Sequence, residues 1–307
     1  MEKINKLKKL IKNENIDGYI VPKNDEFFCE YIQENKDRLK YISNFSGSFG
    51  FALILQEKNY LFVDGRYTLQ ANKQSKKKFI IKTIPGVLPQ NILKGKKFRI
   101  GYDPKLFTKK SLSIFFSKTN CKYIPINRNL IDKIWLRKHN ISLNKFYTLP
   151  QHSAEQNYKQ KINTIILVMK NNKADFQFIS ASENNAWLLN IRGKDTEYTP
   201  IPHSYILIDK KKNIKLFSNL KKIPSSFKNK FDQIEFIDIT LTHLYLSKIK
   251  KKKFITDKST CSIYFENIIL KNNIILNQKD PIYLLKSIKS KKEIENIKKA
   301  HIYDGAA

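Results

Sequence analysis

The sequence contains an internal repeat, which limits the folds open to it more than any other feature does. The segment DGYIVPKND at 17–25 aligns with ADFQFISASEN at 174–184, and the segment at 98–116 aligns with that at 253–265. Both alignments have an offset of about 156 residues, a period far too long for a solenoid. The repeat therefore predicts two copies of one domain.

Both halves show the pattern of an α/β domain. An amphipathic helix at 2–14 opens the first half, and short apolar runs typical of buried strands then alternate with helical segments. The strands predicted in the first half lie near 19–21, 51–55, 60–63, 79–84, 98–104 and 123–126. Those of the second half lie near 174–182, 204–208, 214–217, 234–239 and 253–256. The alternation predicts a mixed sheet flanked by helices in each half.

The same pattern divides the chain into four segments. We predict a first domain over 1–138, a linker over 139–152, a second domain over 153–288 and a separate helix over 289–307. The linker has no periodicity and contains Pro150. The last helix places Ile294 and Ile297 at three-residue spacing with nothing downstream to cover them. We therefore expect this helix to start a third domain.

A polar turn separates a helix from a strand in WLLNIRGKDTEYTPIPHSY, residues 187–205. We predict that Trp187 is a core residue. We also predict that the helix ends at Gly193, since a residue without a side chain suits a left-handed C-cap. Two interpretations stay open for Arg192 and Asp195. They either hold the turn through hydrogen bonds or contact a substrate.

The formal net charge of +31 favours, at first sight, a nucleic-acid partner. However, only six of the 58 basic residues are arginine, and nucleic-acid readers usually add arginine forks and exposed aromatic rings. The densest lysine runs, at 76–78, 210–212 and 250–253, fit turns in which like charges are solvated. We expect a solvated surface and no nucleic-acid partner, with a basic nucleic-acid-binding protein as the weaker alternative.

Targeting signals and cysteine chemistry are not evident in the sequence. No stretch approaches the roughly 18 apolar residues of a membrane span, and the N-terminus lacks the apolar run of a signal peptide. Cys29, Cys121 and Cys261 are far apart and form no CxxC pair. We expect a cytoplasmic protein with reduced cysteines and no membrane partner.

Catalytic motifs are also missing from the sequence. A two-metal site needs converging carboxylates and imidazoles, but no histidine belongs to an HxxxH, HxH or HExxH pattern. The sequence has no GxSxG elbow, P-loop or GxGxxG. We therefore expect no catalytic residue and no metal ligand in this chain, and structural or surface roles for the five histidines, His139, His152, His203, His243 and His301.

Several segments in order resemble the Xaa-Pro aminopeptidases (aminopeptidase P) of the creatinase and prolidase superfamily. They include DGYIVPKND, YISNFSGSFG, LFVDGRYTLQA, WLLNIRGKDTEYTP and the segment from PIYLLK to the end. The resemblance implies two tandem creatinase N-terminal-type domains, each an α/β unit. It also implies that the C-terminal catalytic "pita-bread" domain is absent, since only AHIYDGAA at 300–307 matches that domain's first helix.

The resemblance further implies an activity for the family, the release of an N-terminal residue that precedes proline. Family members use two divalent metals, typically manganese, held by two Asp, two Glu and one His of the absent domain. We therefore expect no cofactor in this chain and no catalysis by the chain alone. The N-terminal domains of the family carry a homodimer contact and overhang the active site that takes the proline-containing peptide. The alternative is a stand-alone dimerisation or peptide-binding module.

Arg66 in DGRY is the residue that the resemblance marks as a substrate-binding candidate. A guanidinium offers directional donors to a carboxylate or a peptide carbonyl. The other interpretation is a surface ion pair, which is the usual role of an arginine in the first turn of a helix. We predict that Asp64 caps the helix beginning at Gly65 and that Tyr67 packs.

Overall fold

A computed structural model describes residues 2–137, 143–150 and 153–307. The chain forms two units, Met1–Ile141 with Ser262–Tyr264, and Ser142–Cys261 with Phe265–Ala307. Within the described ranges, no helix has both the length and the apolar character needed to cross a bilayer. Residues 139–142 and 151–152 of the predicted linker, with His139 and His152, lie outside the described residues.

A six-stranded sheet forms the centre of the first unit. Its strands are β1 Gly18–Pro22, β2 Phe51–Leu55, β3 Asn59–Asp64, β4 Ile80–Ile84, β5 Arg99–Tyr102 and β6 Lys122–Pro125. They lie in the order β4-β3-β2-β1-β5-β6. Strand β2 runs antiparallel to β1 and β3, whereas β3–β4, β1–β5 and β5–β6 are parallel pairs. The sheet is mixed, as predicted.

Helices cover both faces of this sheet. They are α1 Glu2–Asn13, α2 Arg38–Ser43, α3 Thr68–Ser75, α4 Pro89–Leu93, α5 Lys109–Phe116 and α6 Leu130–Ile134, with 3₁₀ turns at Glu34–Lys36 and Gly65–Tyr67. Side chains alternate along a strand, so Tyr19 and Val21 of β1 join a core with α1, α2 and α6. Ile20 joins the opposite core with α4 and α5. The result is a helix–sheet–helix arrangement.

The second half of the chain has strands in the same spatial order. They are β7 Tyr147–Thr148, β8 Phe176–Ile179, β9 Ile191–Arg192, β10 Tyr205–Asp209, β11 Ile214–Ser218, β12 Ile234–Asp238, β13 Lys253–Thr256 and β14 Ile274–Asn277. Six of them form a sheet ordered β12-β11-β10-β8-β13-β14. Its antiparallel and parallel pairs match those of the first sheet. The short β7 and β9 form a separate antiparallel ribbon.

Two long helices and several short ones belong to the second half of the chain. They are α7 Tyr158–Asn171, α8 Ser182–Leu189, α9 Ser225–Lys228, α10 Thr242–Lys248, α11 Ile263–Leu270, α12 Ile282–Ser287 and α13 Lys291–Ala306, with 3₁₀ turns at Leu220–Lys222 and Ile239–Leu241. The residues of α7 predicted to face inward are all buried, namely Ile162, Ile165, Ile166 and Met169. In α13, no residue is buried.

The duplication extends to individual hydrogen bonds. In the first unit, the amide of Asp17 donates to the carbonyl of Arg99 at 2.8 Å, and the carboxylate of Asp17 accepts from the Arg99 amide at 2.7 Å. In the second unit, Asp175 makes the same two bonds with Lys253, at 2.8 and 3.1 Å. In both copies an aspartate before the first strand therefore fixes the start of the fifth strand.

Two sequence predictions differ from the structure in the second half. The helix α8 ends at Asn190, which is left-handed at φ 53°, so Gly193 is not its C-cap. Gly193 instead permits a close approach, since a Cβ there would lie 2.8 Å from Cβ of Pro202. Strands β7, β9 and β14 were not predicted as strands. Phe146, in the described part of the predicted linker, lies in the core of the second unit.

Candidate functional site

Arg66 lies on an exposed turn at the end of β3. The carboxylate of Asp64 accepts a hydrogen bond from the Arg66 amide at 3.0 Å, so Asp64 caps this 3₁₀ turn as predicted. The same carboxylate accepts from Nη2 of Arg66 at 2.7 Å and from Nε at 3.2 Å. The side chain of Arg66 remains 72% exposed. Its guanidinium is therefore held in one direction and stays open to solvent.

Tyr67 supports this turn from within. Its hydroxyl lies 2.7 Å from Oγ of Ser48, and its ring packs edge-on against Phe45 at 5.8 Å between centroids. Gly47 allows the approach, because a Cβ there would lie 2.3 Å from the Phe45 ring and 2.8 Å from the Tyr67 ring. Tyr67 thus packs as predicted, and the loop at 44–50 is fitted to the turn that carries Arg66.

The electrostatics of the turn agree with an ion pair at the surface. The hydrogen bond from Arg66 lowers the pKa of Asp64, and the same bond raises the pKa of Arg66. Surface pairs of this kind contribute little to stability. The pair therefore fits both interpretations of Arg66, since it forms the surface contact and also orients a guanidinium that a ligand can reach.

In the second unit, Asp195 and Arg192 make contacts that hold the turn after α8. Asp195 is 3% exposed, forms an ion pair with Lys222 and accepts from the His203 amide at 2.8 Å. Nη1 of Arg192 donates to the carbonyls of Ala186 at 3.1 Å and Ile191 at 2.9 Å. Burial lowers the pKa of Arg192. These contacts support the hydrogen-bonding interpretation of both residues.

The remaining described histidines have contacts of a structural or surface kind. Nε2 of His203 lies 3.3 Å from Oγ1 of Thr196, and its carbonyl accepts from Ser218 at 2.8 Å. Nδ1 of His243 lies 2.8 Å from the carbonyl of Thr240, and His301 is exposed on α13.

Lys161 is a buried cation that the sequence interpretation did not identify. Its Nζ donates to the carbonyl of Trp187 at 2.8 Å and to Oδ1 of Asn190 at 2.6 Å, and it lies 4.0 Å from the Trp187 ring centroid. Burial lowers the pKa of Lys161 to about 8. The side chains of Lys161 and Trp187 line a cavity of about 450 Å³. The signal was present, because Lys161 lies one helical turn before Ile165 on the apolar face of α7.

Lys222, the partner of Asp195, could not have been found in the same way. It is one of 58 basic residues and lies in a run of two lysines. Nothing in its local pattern separates a buried lysine from the solvated ones.

The di-nuclear centre implied by the resemblance needs two aspartates, two glutamates and one histidine. Over the ranges that the structure describes, no cluster of metal-binding side chains has that composition. The described side chains therefore do not fit a di-nuclear centre of that kind.

Comparison with protein families matches both halves of the chain to one family. Residues 3–133 and residues 137–293 each match a family model described as the creatinase/prolidase N-terminal domain. The match covers the two sheets with the same strand order, so the family assignment and the duplicated fold agree.

Curated relatives are about twice as long as this chain. A probable Xaa-Pro aminopeptidase P of Laccaria bicolor is 29% identical over all of this chain and 50% of its own length. The Xaa-Pro aminopeptidase ApepP of Drosophila melanogaster is 31% identical over 95% of this chain and 50% of its own length. The Xaa-Pro aminopeptidase 1 of Dictyostelium discoideum is 31% identical over all of this chain and 52% of its own. This chain thus spans about half the length of these proteins.

One solved structure shares the fold across nearly the whole chain. The X-prolyl aminopeptidase of Caenorhabditis elegans superposes with a TM-score of 0.89 at 22% identity, over 99% of this chain and 54% of that one. That protein is described as a cytosolic enzyme with a di-nuclear active site.

Proposed function

Because the chain belongs to the creatinase/prolidase N-terminal domain family in both of its halves, we propose that it forms the N-terminal region of an Xaa-Pro aminopeptidase-like protein. In this proposal the chain supplies dimerisation and substrate-gating surfaces and does not cleave peptides by itself. A cytoplasmic location is part of the proposal, and the cytosolic worm enzyme supports it.

A single observation carries this proposal. Three relatives named Xaa-Pro aminopeptidase align with 95% or more of this chain, yet with only about half of their own length. The aligned half is the part that holds two creatinase-type units here. This favours a role beside a catalytic domain over a stand-alone binding module or a nucleic-acid binder. It also supports the prediction that α13 starts such a domain.

Arg66 is the proposed contact with a peptide substrate. Asp64 uses Nε and Nη2 of the guanidinium, which leaves Nη1 to donate to a peptide carbonyl. Because the pair with Asp64 orients the side chain before the substrate arrives, less side-chain entropy is lost when the contact forms. The role is positioning a peptide, and bond cleavage stays with groups outside this chain.

Catalytic incompetence is tested with the purified 307-residue chain, an Xaa-Pro peptide and added Mn²⁺. We expect no release of the N-terminal residue, while the Dictyostelium relative, assayed in parallel, provides the positive control. Turnover that co-elutes with this chain and scales with its concentration would show that the chain is itself an enzyme.

Dimerisation is tested by light scattering of the same sample on a sizing column. We expect a mass twice the 36.2 kDa of the chain. A monomer at every concentration tested rules out the dimerisation role and leaves the gating role to be judged separately.

The role of Arg66 is tested by binding of a fluorescent, C-terminally amidated Xaa-Pro peptide. We expect Arg66→Ala to weaken binding about tenfold, the loss of one charge-assisted hydrogen bond. Arg99→Ala removes another exposed arginine and serves as the matched control. If both variants bind like the unmodified chain, Arg66 is only a surface ion pair.

A further inference from the structure

A second polar site lies in the first unit and does not include Arg66. It is a cavity of about 350 Å³ beside Arg38, and every side chain that lines it is charged or carries an amide. Apolar ligand pockets have mostly hydrophobic walls with a few polar groups. A cavity lined only by polar side chains instead suits a small, charged, water-soluble ligand.

The carboxylates of this cavity already have partners. Asp132 accepts from Nε and Nη2 of Arg38 at 2.8 and 2.9 Å and pairs with Arg137. Glu26 accepts from Nη2 of Arg38 at 2.8 Å and from Lys36 at 2.9 Å. The negative groups on these two side chains are therefore neutralised within the protein.

The third carboxylate, Asp103, is buried and also has hydrogen-bond donors. It accepts from Nδ2 of Asn129 at 2.9 Å and from the amide of Lys105 at 2.9 Å. Burial raises the pKa of Asp103, which makes its charged form less favourable. The cavity therefore has little unneutralised negative charge to repel an anion.

The cations around the cavity have donors to spare. Arg38 is 4% exposed, and its Nη1 is buried without a hydrogen-bond partner in the part of the chain that the structure describes. Burial opposes its charge, but Glu26 and Asp132 outweigh that effect and raise the pKa of Arg38. Lys105 and Arg128 also line the cavity, and the ammonium of Lys105 lies 4.9 Å from the centroid of the Tyr264 ring, a contact that uses none of its hydrogen-bond donors. The site thus has a surplus of donors and positive charge.

We propose that this cavity binds a small-molecule carboxylate, which takes the free donors of Arg128 and Lys105 beside the fixed guanidinium of Arg38. A planar carboxylate matches the fork of a guanidinium and carries one negative charge. The site is independent of the peptide contact proposed for Arg66.

Inorganic phosphate is titrated in parallel as the competing ligand class. The test itself is calorimetric titration of the purified chain with sodium acetate and with glycine, at an ionic strength held constant with chloride. We expect saturable binding of both or of one. Arg128→Ala and Lys105→Ala should each weaken it about tenfold, since each removes a charge-assisted hydrogen bond. These variants leave the Arg38 ion pairs intact, so they should fold, which circular dichroism checks. Lys118→Ala removes an exposed cation outside the cavity and should change nothing.

Each outcome of the titration bears on the proposal. Acetate binding alone supports a simple carboxylate, and tighter glycine binding supports an amino acid whose ammonium group also finds acceptors. Tighter binding of inorganic phosphate than of either carboxylate overturns the assigned ligand class. Absence of saturable binding, or an equal loss in Lys118→Ala, overturns the site itself. None of these results affects the amidated-peptide test of Arg66.

Discussion

Asp280 shows at the scale of one residue how burial changes the chemistry of a carboxyl group. It precedes α12 and is buried, and it accepts hydrogen bonds from Asn184 at 2.7 Å, Gln177 at 3.2 Å and the Ile282 amide at 3.1 Å. Burial raises the pKa of Asp280 to about 6, against the opposing effect of the bond from Asn184. The group therefore keeps its proton to a higher pH in the folded state than in the unfolded state.

This shift predicts a loss of stability as the pH rises. Between about pH 4 and pH 6 the folded chain holds a proton that the unfolded chain has released, so the free energy of unfolding falls across that window. Above pH 6 the free energy of unfolding is lower by the full amount, about 3 kcal/mol, than it is below pH 4. We expect Asp280→Asn to remove this pH dependence. The free energy of unfolding of the variant, relative to that of the parent, should therefore rise between pH 4 and pH 7.

Urea unfolding at several pH values measures this difference. Trp187 in a Trp135→Phe background reports the second unit, and Asp304→Asn, an exposed carboxyl on α13, is the control. A constant difference between Asp280→Asn and its parent across the range would contradict the prediction.

At the scale of elements, the start of α7 depends on one capping box. The side chain of Asn157 accepts from the Gln160 amide at 3.0 Å, and the side chain of Gln160 accepts from the Asn157 amide at 2.9 Å. We expect Asn157→Ala to lower the free energy of unfolding by about 1 kcal/mol, and Asn157→Asp to lower it far less. Equal losses in the two variants, measured by urea unfolding, would mean that the cap is not the cause.

The elements that the sequence predicted correctly are those with a strong local pattern. The inward face of α7 repeats at helical spacing, and the apolar runs of β2 and β3 flank a short turn. The apolar residues of β14 follow the apolar helix α11 after only three residues, so the sequence did not mark them as a separate strand. The end of α8 was misplaced by three residues, because asparagine also accepts the left-handed conformation and Asn190 precedes Gly193.

The candidate site was predictable only through the resemblance. The residues alone indicated a surface ion pair for Arg66, and the resemblance added the substrate contact; the exposed pair with Asp64 fits both. The cavity beside Arg38 was not predicted at all, because its side chains come from positions as far apart as Glu26 and Lys133. Residues so far apart in the sequence have no spacing pattern from which a shared cavity can be predicted.

At the scale of the whole molecule, the net charge of +31 makes a prediction of its own. We expect weak retention on immobilised DNA at low salt, lost by about 0.15 M salt, since solvated surface lysines bind through screened charge alone. Site-specific binding that survives physiological salt would instead favour the nucleic-acid alternative. Retention measured along a salt gradient decides between them.

The strand order has a consequence for how the polypeptide is made. In the first unit, β1 pairs with β2 on one side and with β5 on the other, and Gly18 meets Ile100 only after most of the unit has been synthesised. As the chain leaves the ribosome, one edge of β1 can pair once β2 has emerged, while its other edge waits for β5. An apolar edge left open during translation invites wrong pairing. Slower synthesis between β2 and β5 should therefore lower the yield of folded protein.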